Sequence, residues 1–251
     1  MLPHIFRLDG KRALVTGAGR GLGATMAAAL ADAGAHVTLI ARSFDEIDRV
    51  CADIIAAGGS AATAILDVTQ AAEVAAFFAT QAPFNVLVNN AGTNRPALLV
   101  DTPDADIEAV FSLNVIAALR MAREVARGLI AHGQPGSIIN VSSQMGHVGS
   151  VNRTVYCASK HAIEGMTKAL AWELGAHNIR VNSLCPTFIE TPLTAPMLAK
   201  PDFRHWVVSN IALNRVGRAT EVCGPIVFLA SDASSLMTGS ALMIDGGWTA
   251  R

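Results

Sequence analysis

Seven short apolar runs, at 12–16, 36–41, 61–66, 86–89, 137–141, 179–184 and 242–245, are separated along most of the chain by longer stretches with helical apolar spacing. Strand-length runs alternating with helical stretches describe repeated strand–helix–strand units, whose strands lie parallel. Because the runs are continuously apolar, each strand is expected to be covered on both faces. The fold class that follows is α/β: a doubly wound parallel sheet of seven strands with helices on both faces, forming one domain over residues 1–251. No linker-like, low-complexity or repeated stretch divides the chain, and a 51% hydrophobic composition suits one large core. Only 186–214 lacks periodicity, with prolines at 186, 192, 196 and 201 and Trp206 far from any strand. A long loop in a compact domain is usually functional, and 187–214 is expected to be a substrate lid.

Nineteen Lys+Arg against 20 Asp+Glu leave a formal charge of -1 without long runs of either sign. That excludes the electrostatic footprint of a nucleic-acid or anionic-membrane binder and leaves a small molecule, or another copy of the chain, as partner. The opening residues lack a basic-then-apolar leader pattern, and no stretch approaches the ~20 apolar residues that span a bilayer, so a cytoplasmic enzyme is expected. Cys51, Cys157, Cys185 and Cys223 lie far apart, and none of the seven histidines has metal-ligand spacing. Neither a metal site nor a disulfide framework is expected. No Gly-x-Ser-x-Gly elbow supports a hydrolase.

Directly after the first strand stands Thr16-Gly17-Ala18-Gly19-Arg20-Gly21-Leu22-Gly23, running into the strong helix former Ala24-Thr25-Met26-Ala27-Ala28-Ala29-Leu30. Gly17, Gly19, Gly21 and Gly23 permit a tight turn and close backbone approach to a pyrophosphate, which Arg20, Leu22 and the helix N-terminus would flank. No Gly-Lys-Ser/Thr follows, so this is not a Walker loop. At the end of the second strand, Leu39-Ile40-Ala41-Arg42-Ser43 offers no acid for the ribose hydroxyl of NAD, whereas Arg42, helped by Arg20, suits a 2′-phosphate. NADP is favoured over NAD on this reading; a solvated arginine is the plain alternative. Asp67 with Val68, ending the third strand, can reach an adenine or simply cap a turn.

Tyr156 and Lys160 are four apart on a helical stretch and share a face, so Lys160 is expected beneath the phenol, favouring its ionised form and drawing its pKa from ~10 towards neutrality. The glycine loop, Asn89-Asn90-Ala91-Gly92, Asn114, Ser142-Ser143 and Tyr156-Cys157-Ala158-Ser159-Lys160 together stand in the order and spacing of the short-chain dehydrogenase/reductase family. The chain resembles that family from about Lys11 to Gly247. The resemblance implies Tyr156 as general acid/base, Lys160 on the nicotinamide ribose, Ser143 hydrogen-bonded to the reacting oxygen and Asn114 supporting a proton-relay water. It also implies that Asn90, Ala91 and Gly92 lie along the cofactor. Pro186 belongs to a Pro-Gly pair in the family, with Thr187 replacing the glycine here. Ile189 and Thr191 align with contacts to the carboxamide and pyrophosphate. A homotetramer built from the helices at 104–130 and 155–174 and from the chain end is likewise implied, with Trp248 packing on a neighbour or on its own core.

The expected reaction is hydride transfer between nicotinamide and a secondary alcohol or ketone. Asn94, Arg95, Gln144, Asn152 and Arg153 fall beside the chemical motifs and can hold hydroxyls or a carboxylate, His147 can face substrate, and Thr187 and Trp206 belong to the lid. A polyol, sugar or sugar acid is therefore the leading substrate class. A 3-oxoacyl-carrier-protein reductase is the alternative, although an acidic carrier needs a basic rim, for which Arg120, Arg123 and Arg127 on one helical face are the candidates. A catalytically silent cofactor-binding regulator is the second alternative.

Overall fold

A computed structural model describes residues 3–250; Met1 and Leu2, at the start of the stretch read for a leader, and Arg251 lie outside the described residues. Seven parallel strands pair in the order β3-β2-β1-β4-β5-β6-β9. They are β1 (Arg12–Thr16), β2 (His36–Ala41), β3 (Ser60–Ile65), β4 (Val86–Asn89), β5 (Gly136–Val141), β6 (Ile179–Pro186) and β9 (Ala241–Ile244). The third, fifth and last strands begin one residue earlier than the apolar runs suggest, and the sixth extends two residues further, to Pro186.

Alternation along each strand sorts side chains between two helical layers. On β1, Ala13 and Val15 face α1 (Gly21–Asp32), α2 (Phe44–Ala56) and α9 (Cys223–Ala230), burying Met26, Leu30, Ile47, Ile54 and Ile226. Leu14 faces the opposite layer with Leu87 and Ile138, against α3 (Ala71–Ala79), α5 (Ala117–Ala131) and α6 (Thr154–Leu174). With apolar cover on both faces, no strand needs a polar side, which is why the runs read as continuous. Among the described residues no helix is long and apolar enough to cross a membrane.

Two expectations need correction. The helix expected over 104–130 is interrupted: α4 (Asp104–Phe111) and α5 flank a π-helical turn at Ser112–Ile116, in which the Ala117 N–H bonds to Ser112 O. One residue added to a turn leaves the helix continuous in sequence, so apolar periodicity passes over it, yet it rotates the side chains beyond it. The segment 187–214 is not an open loop: β7 (Ile189–Glu190) pairs with β8 (Gly217–Arg218), and α7 (Ala195–Leu198) and α8 (Pro201–Ser209) follow β7. Pro196 and Pro201 stand in the first turns of those helices, where a missing N–H costs nothing. Four- and nine-residue helices are too short to show a period. Of the two placements open to Trp248, the structure shows the own-core one: its ring is buried against Phe188 and Trp206 of its own chain.

Candidate active site

The strand order reverses between β1 and β4, which opens a crevice at their C-terminal ends. The glycine loop fills the floor of that crevice. Gly17 has φ +64°, and a Cβ there would stand 3.0 Å from Ala91 Cα. A Cβ on Gly23 would lie 2.2 Å from Gly17 O, so the loop closes over α1 only because that position lacks a side chain. Asn90 Nδ2 donates to Thr16 O (2.9 Å) and Gly17 O (3.1 Å), while Thr16 Oγ1 accepts from the N–H groups of Asn90 and Ala91. Asn90 thus spends its amide on shaping the loop, and Ala91 and Gly92 carry the chain past it. No side chain caps α1, so its first-turn amides around Gly21, Leu22 and Gly23 are available to an anion. A dinucleotide pyrophosphate fits this glycine cradle. Across the crevice, Thr191 approaches Gly21, and Ile189 is buried beyond the end of β6 at Pro186.

The adenosine end differs in one respect from the sequence reading. Arg42 is exposed at the end of β2, but Arg20 pairs with Glu46, Nη1 to Oε1 at 3.3 Å. The acid missing from the strand end is thus present on the first turn of α2, a residue the search at the strand end passed over. Asp67 takes the turn-capping role: its Oδ1 accepts from Thr69 N (2.9 Å) and Thr69 Oγ1 (2.7 Å). Burial pushes this carboxyl up, but the Thr69 hydrogen bonds and the nearby Arg42 outweigh it and hold the group below its usual range. Val68 is buried in the apolar layer beside it.

Four groups converge at the other end. Asn114, in the π turn, accepts from Thr93 N at 2.8 Å and donates to Thr93 O and Ser159 Oγ, each at 3.0 Å. Its amide therefore ties the loop after β4 to α6, with its oxygen and its nitrogen both hydrogen-bonded. Ser143, following β5, accepts from Met145 N at 3.1 Å. Burial pushes the Tyr156 phenol up to about 12, opposed by hydrogen bonding with Ser143 and, more weakly, by the Arg153 charge.

Lys160 departs from expectation. Its Nζ donates to Val141 O at 2.8 Å and stands 5.6 Å from the Tyr156 ring centre. Burial pulls it down to about 8, with Cys185 and Glu164 opposing. The shared helix face is real, but a buried ammonium must find an acceptor, and the last carbonyl of β5 provides it. Among the charges near the phenol, that of Arg153 draws its pKa down.

Arg153 is 7% exposed and carries no carboxylate partner among the described residues. Its contacts are Asn152 O (3.3 Å) and Met197 Sδ of α7 (3.5 Å). Gln144 is fully buried with neither amide atom partnered, and Asn94 Oδ1 and Thr187 Oγ1 are buried without partners as well. Arg95, by contrast, is engaged by Asp106. An apolar wall of Met145, Phe188, Val207 and Trp248 packs against Tyr156. Trp206 joins this wall edge-on to Phe188 and Trp248, so its ring is largely committed to aromatic neighbours. His147 turns to Glu164 and Cys185, a grouping of residues 147, 164 and 185 that no sequence spacing announces.

A sequence profile described as enoyl-(acyl carrier protein) reductase matches residues 17–249. A gluconate 5-dehydrogenase of Gluconobacter oxydans is 37% identical over 251 residues, 98% of either chain. A 3-oxoacyl-acyl-carrier-protein reductase of Thermotoga maritima is 40% identical over 245 residues, 96% of this chain and 98% of its own. Among solved structures, a gluconate 5-dehydrogenase from Burkholderia cenocepacia in complex with NADP and tartrate superposes with TM-score 0.93 at 34% identity, over 98% of both chains. A short-chain type dehydrogenase/reductase from Mycobacterium marinum does so with TM-score 0.94 at 38% identity, also over 98% of both. Relatives matched over their whole length share the seven-stranded fold whose crevice holds the glycine loop and the serine–tyrosine–lysine group, and on that ground the chain belongs to the short-chain dehydrogenase/reductase family.

Proposed function

We propose that this protein is an NADP-dependent oxidoreductase acting on a secondary hydroxyl of a polyol, sugar or sugar acid, with a sugar acid the favoured substrate. The observation that carries the substrate class is Arg153: a buried guanidinium with no acid of its own beside Tyr156 needs an anion from outside. The unpartnered amide of Gln144 and the buried polar atoms of Asn94 and Thr187 offer donors and acceptors for hydroxyls. That the Burkholderia relative was crystallised with NADP and tartrate, a hydroxy acid, is consistent with this reading.

The nicotinamide, when bound, supplies the hydride acceptor or donor. The chain's own residues handle orientation and the proton. In the oxidative direction the substrate oxygen lies between Ser143 and Tyr156, and the phenolate takes the hydroxyl proton as the C–H hydride leaves. The phenol at about 12 is too basic to be ionised near neutrality, so the positive charges of Lys160 and of the oxidised ring must act on it in the complex. For that, the Lys160 ammonium would pivot from Val141 O towards the ribose and Tyr156. The wall contributed by residues 187–214 and Trp248 excludes water, and we assign it the role of a lid over a single domain. Arg42 and Arg20 would receive the 2′-phosphate, Arg20 leaving Glu46 to do so. We also assign the protein a cytoplasmic setting and a homotetrameric assembly; Leu119 on α5 and Trp172 on α6, 91% exposed, suit a buried contact.

The carrier-protein alternative is weakened at its rim. Arg123 and Arg127 both pair with Glu124, and Arg120 donates to Thr69 O, so the stripe on α5 offers less free positive charge than its composition implies. A screen of aldonates, alditols, ketoses and 3-oxoacyl thioesters, followed by reduced-nicotinamide absorbance with each cofactor, tests the proposal. Turnover of hydroxylated acids or polyols with NADP is expected. Turnover of thioesters alone, or of nothing, overturns it, and a strong preference for NAD overturns the assignment of Arg20 and Arg42.

A further inference from the structure

Close to Lys160 in the chain and in the fold lies a cluster that the proposed reaction leaves unused. Glu164 follows Lys160 by one turn of α6, Cys185 lies near the end of β6, and His147 comes from the turn after Ser143. Glu164 and Cys185 are buried, and Glu164 has no Lys or Arg partner among the described residues. The donor groups lie close together: Cys185 Sγ is 3.4 Å from Glu164 Oε1 and 3.6 Å from His147 Nε2, His147 Nε2 is 3.6 Å from the other carboxylate oxygen, Glu164 Oε2, and one donor atom from each residue lies within 4.8 Å of the other two.

A tetrahedral ion with a bond of about 2.3 Å to sulfur and about 2.0–2.1 Å to nitrogen and oxygen needs donors about 3.3–3.6 Å apart. Each pair of these side chains already offers donor atoms at that spacing, through one or the other oxygen of Glu164, and a small turn of the carboxylate brings a single set of three to it. We propose that His147, Glu164 and Cys185 form a binding site for a zinc-like divalent cation, with three protein ligands and a fourth position open.

The chemistry of the donors agrees with the geometry. A thiolate, a carboxylate and a neutral imidazole together carry two negative charges, which a divalent ion neutralises, so the loaded cluster is buried without net charge. Mixed sulfur, nitrogen and oxygen donors select zinc-like ions over magnesium or calcium, which take oxygen. Ser183 Oγ donates to Glu164 Oε2 at 2.8 Å, orienting the carboxylate as an outer partner. The His147 side chain, 30% exposed, gives the ion a way in. Uptake forms three metal–donor bonds and releases the Cys185 thiol proton to water; nothing is oxidised or reduced.

The site stands apart from the oxidoreductase reading, and its test needs no turnover. Full-length protein, stripped with a chelator and dialysed, is titrated with Co2+ alone. A thiolate-to-cobalt charge-transfer band with tetrahedral d–d bands, saturating at one ion per chain and bleached by Zn2+ but not Mg2+, is expected. Cys185→Ser should abolish the charge-transfer band, and His147→Ala should weaken uptake at least ~10-fold. Because the unmodified protein carries the first readout, a variant that fails to fold does not shield the proposal. Absence of the band in the unmodified protein overturns it, leaving a thiol–carboxylate–imidazole hydrogen-bond network; so does a band that survives unchanged in Cys185→Ser.

Discussion

Replacing Arg153 by methionine separates two roles that a buried arginine can have. Its guanidinium is held below its usual pKa by burial, against the opposing influence of Tyr156 and Cys157, and its only oxygen acceptor among the described residues is Asn152 O at 3.3 Å. A charge kept from water on such terms destabilises the fold, and methionine fills similar volume without it. Exchanges of buried charge for apolar volume are worth roughly 1–4 kcal/mol, and taking the lower half of that range predicts a rise in melting temperature of about 2–10 °C for a chain of this length. Function should move the other way. A charge-assisted hydrogen bond to a substrate carboxylate contributes roughly 1.5–3 kcal/mol, so the KM for an aldonate should rise roughly 10- to 150-fold. The KM for the alditol of the same carbon chain, lacking the carboxylate, should barely change. The assay is therefore paired: kcat and KM for aldonate and alditol, alongside thermal melts of the ligand-free protein. Equal losses on both substrates would refute the carboxylate role, and a lowered melting temperature would refute the argument that the charge lacks compensation.

Three further outcomes follow from the same geometry. Tyr156→Phe should lower turnover by at least ~100-fold while leaving NADP affinity, read by fluorescence titration, within a few-fold, because the phenol supplies the proton and not the cradle; near-normal turnover would sink its assignment. Gly23→Ala places a Cβ 2.2 Å from Gly17 O, so the loop must shift; we expect about 1–3 kcal/mol of lost stability and at least ~10-fold weaker NADP binding, and unchanged binding would show that the cradle does not hold the pyrophosphate. For Lys160 the sign runs upward with pH: its pKa falls from 10.5 unfolded to about 8 folded, so the unfolded chain binds the extra proton between those values and stability rises with pH across that window by up to about 3 kcal/mol. The pH dependence of melting, wild type minus Lys160→Met, should show that slope between pH 8 and 10, and a flat difference would mean the ammonium is not desolvated.

The layered architecture was legible because strands covered on both faces must be apolar throughout, and the seven runs become the seven paired strands with shifts of one or two residues. What periodicity could not carry were features shorter than its own window. The π turn at Ser112–Ile116 keeps an apolar pattern while changing which side chain turns inward, and α7 and α8 are shorter than the window of about 11–18 residues over which a helical period is read. Proline misled for a related reason. It reads as a breaker, yet Pro196 and Pro201 occupy the one part of a helix that tolerates it, so a segment read as loop is largely helical.

In the site, the limit was one of partners, not of residues. Tyr156, Lys160, Ser143 and Asn114 do come together, but which atom each one engages depends on neighbours remote in sequence: Val141 O for Lys160, Thr93 for Asn114, Glu46 for Arg20. A four-residue spacing on a helix fixes a face and says nothing of the acceptor at the end of β5 that captures the ammonium. The same logic explains why His147, Glu164 and Cys185 drew no attention as a group. Metal-ligand spacing can be seen in sequence only when the ligands share a turn or a helix; here one comes from a turn, one from α6 and one from β6, and only the packing of α6 on the sheet closes the triangle. Lys160 lies between that triangle and Tyr156 on the same helix, with Glu164 and Cys185 both opposing the fall of its pKa. The charge state of this cluster is therefore an electrostatic neighbour of Lys160, the group that the proposed mechanism assigns to ionising the phenol.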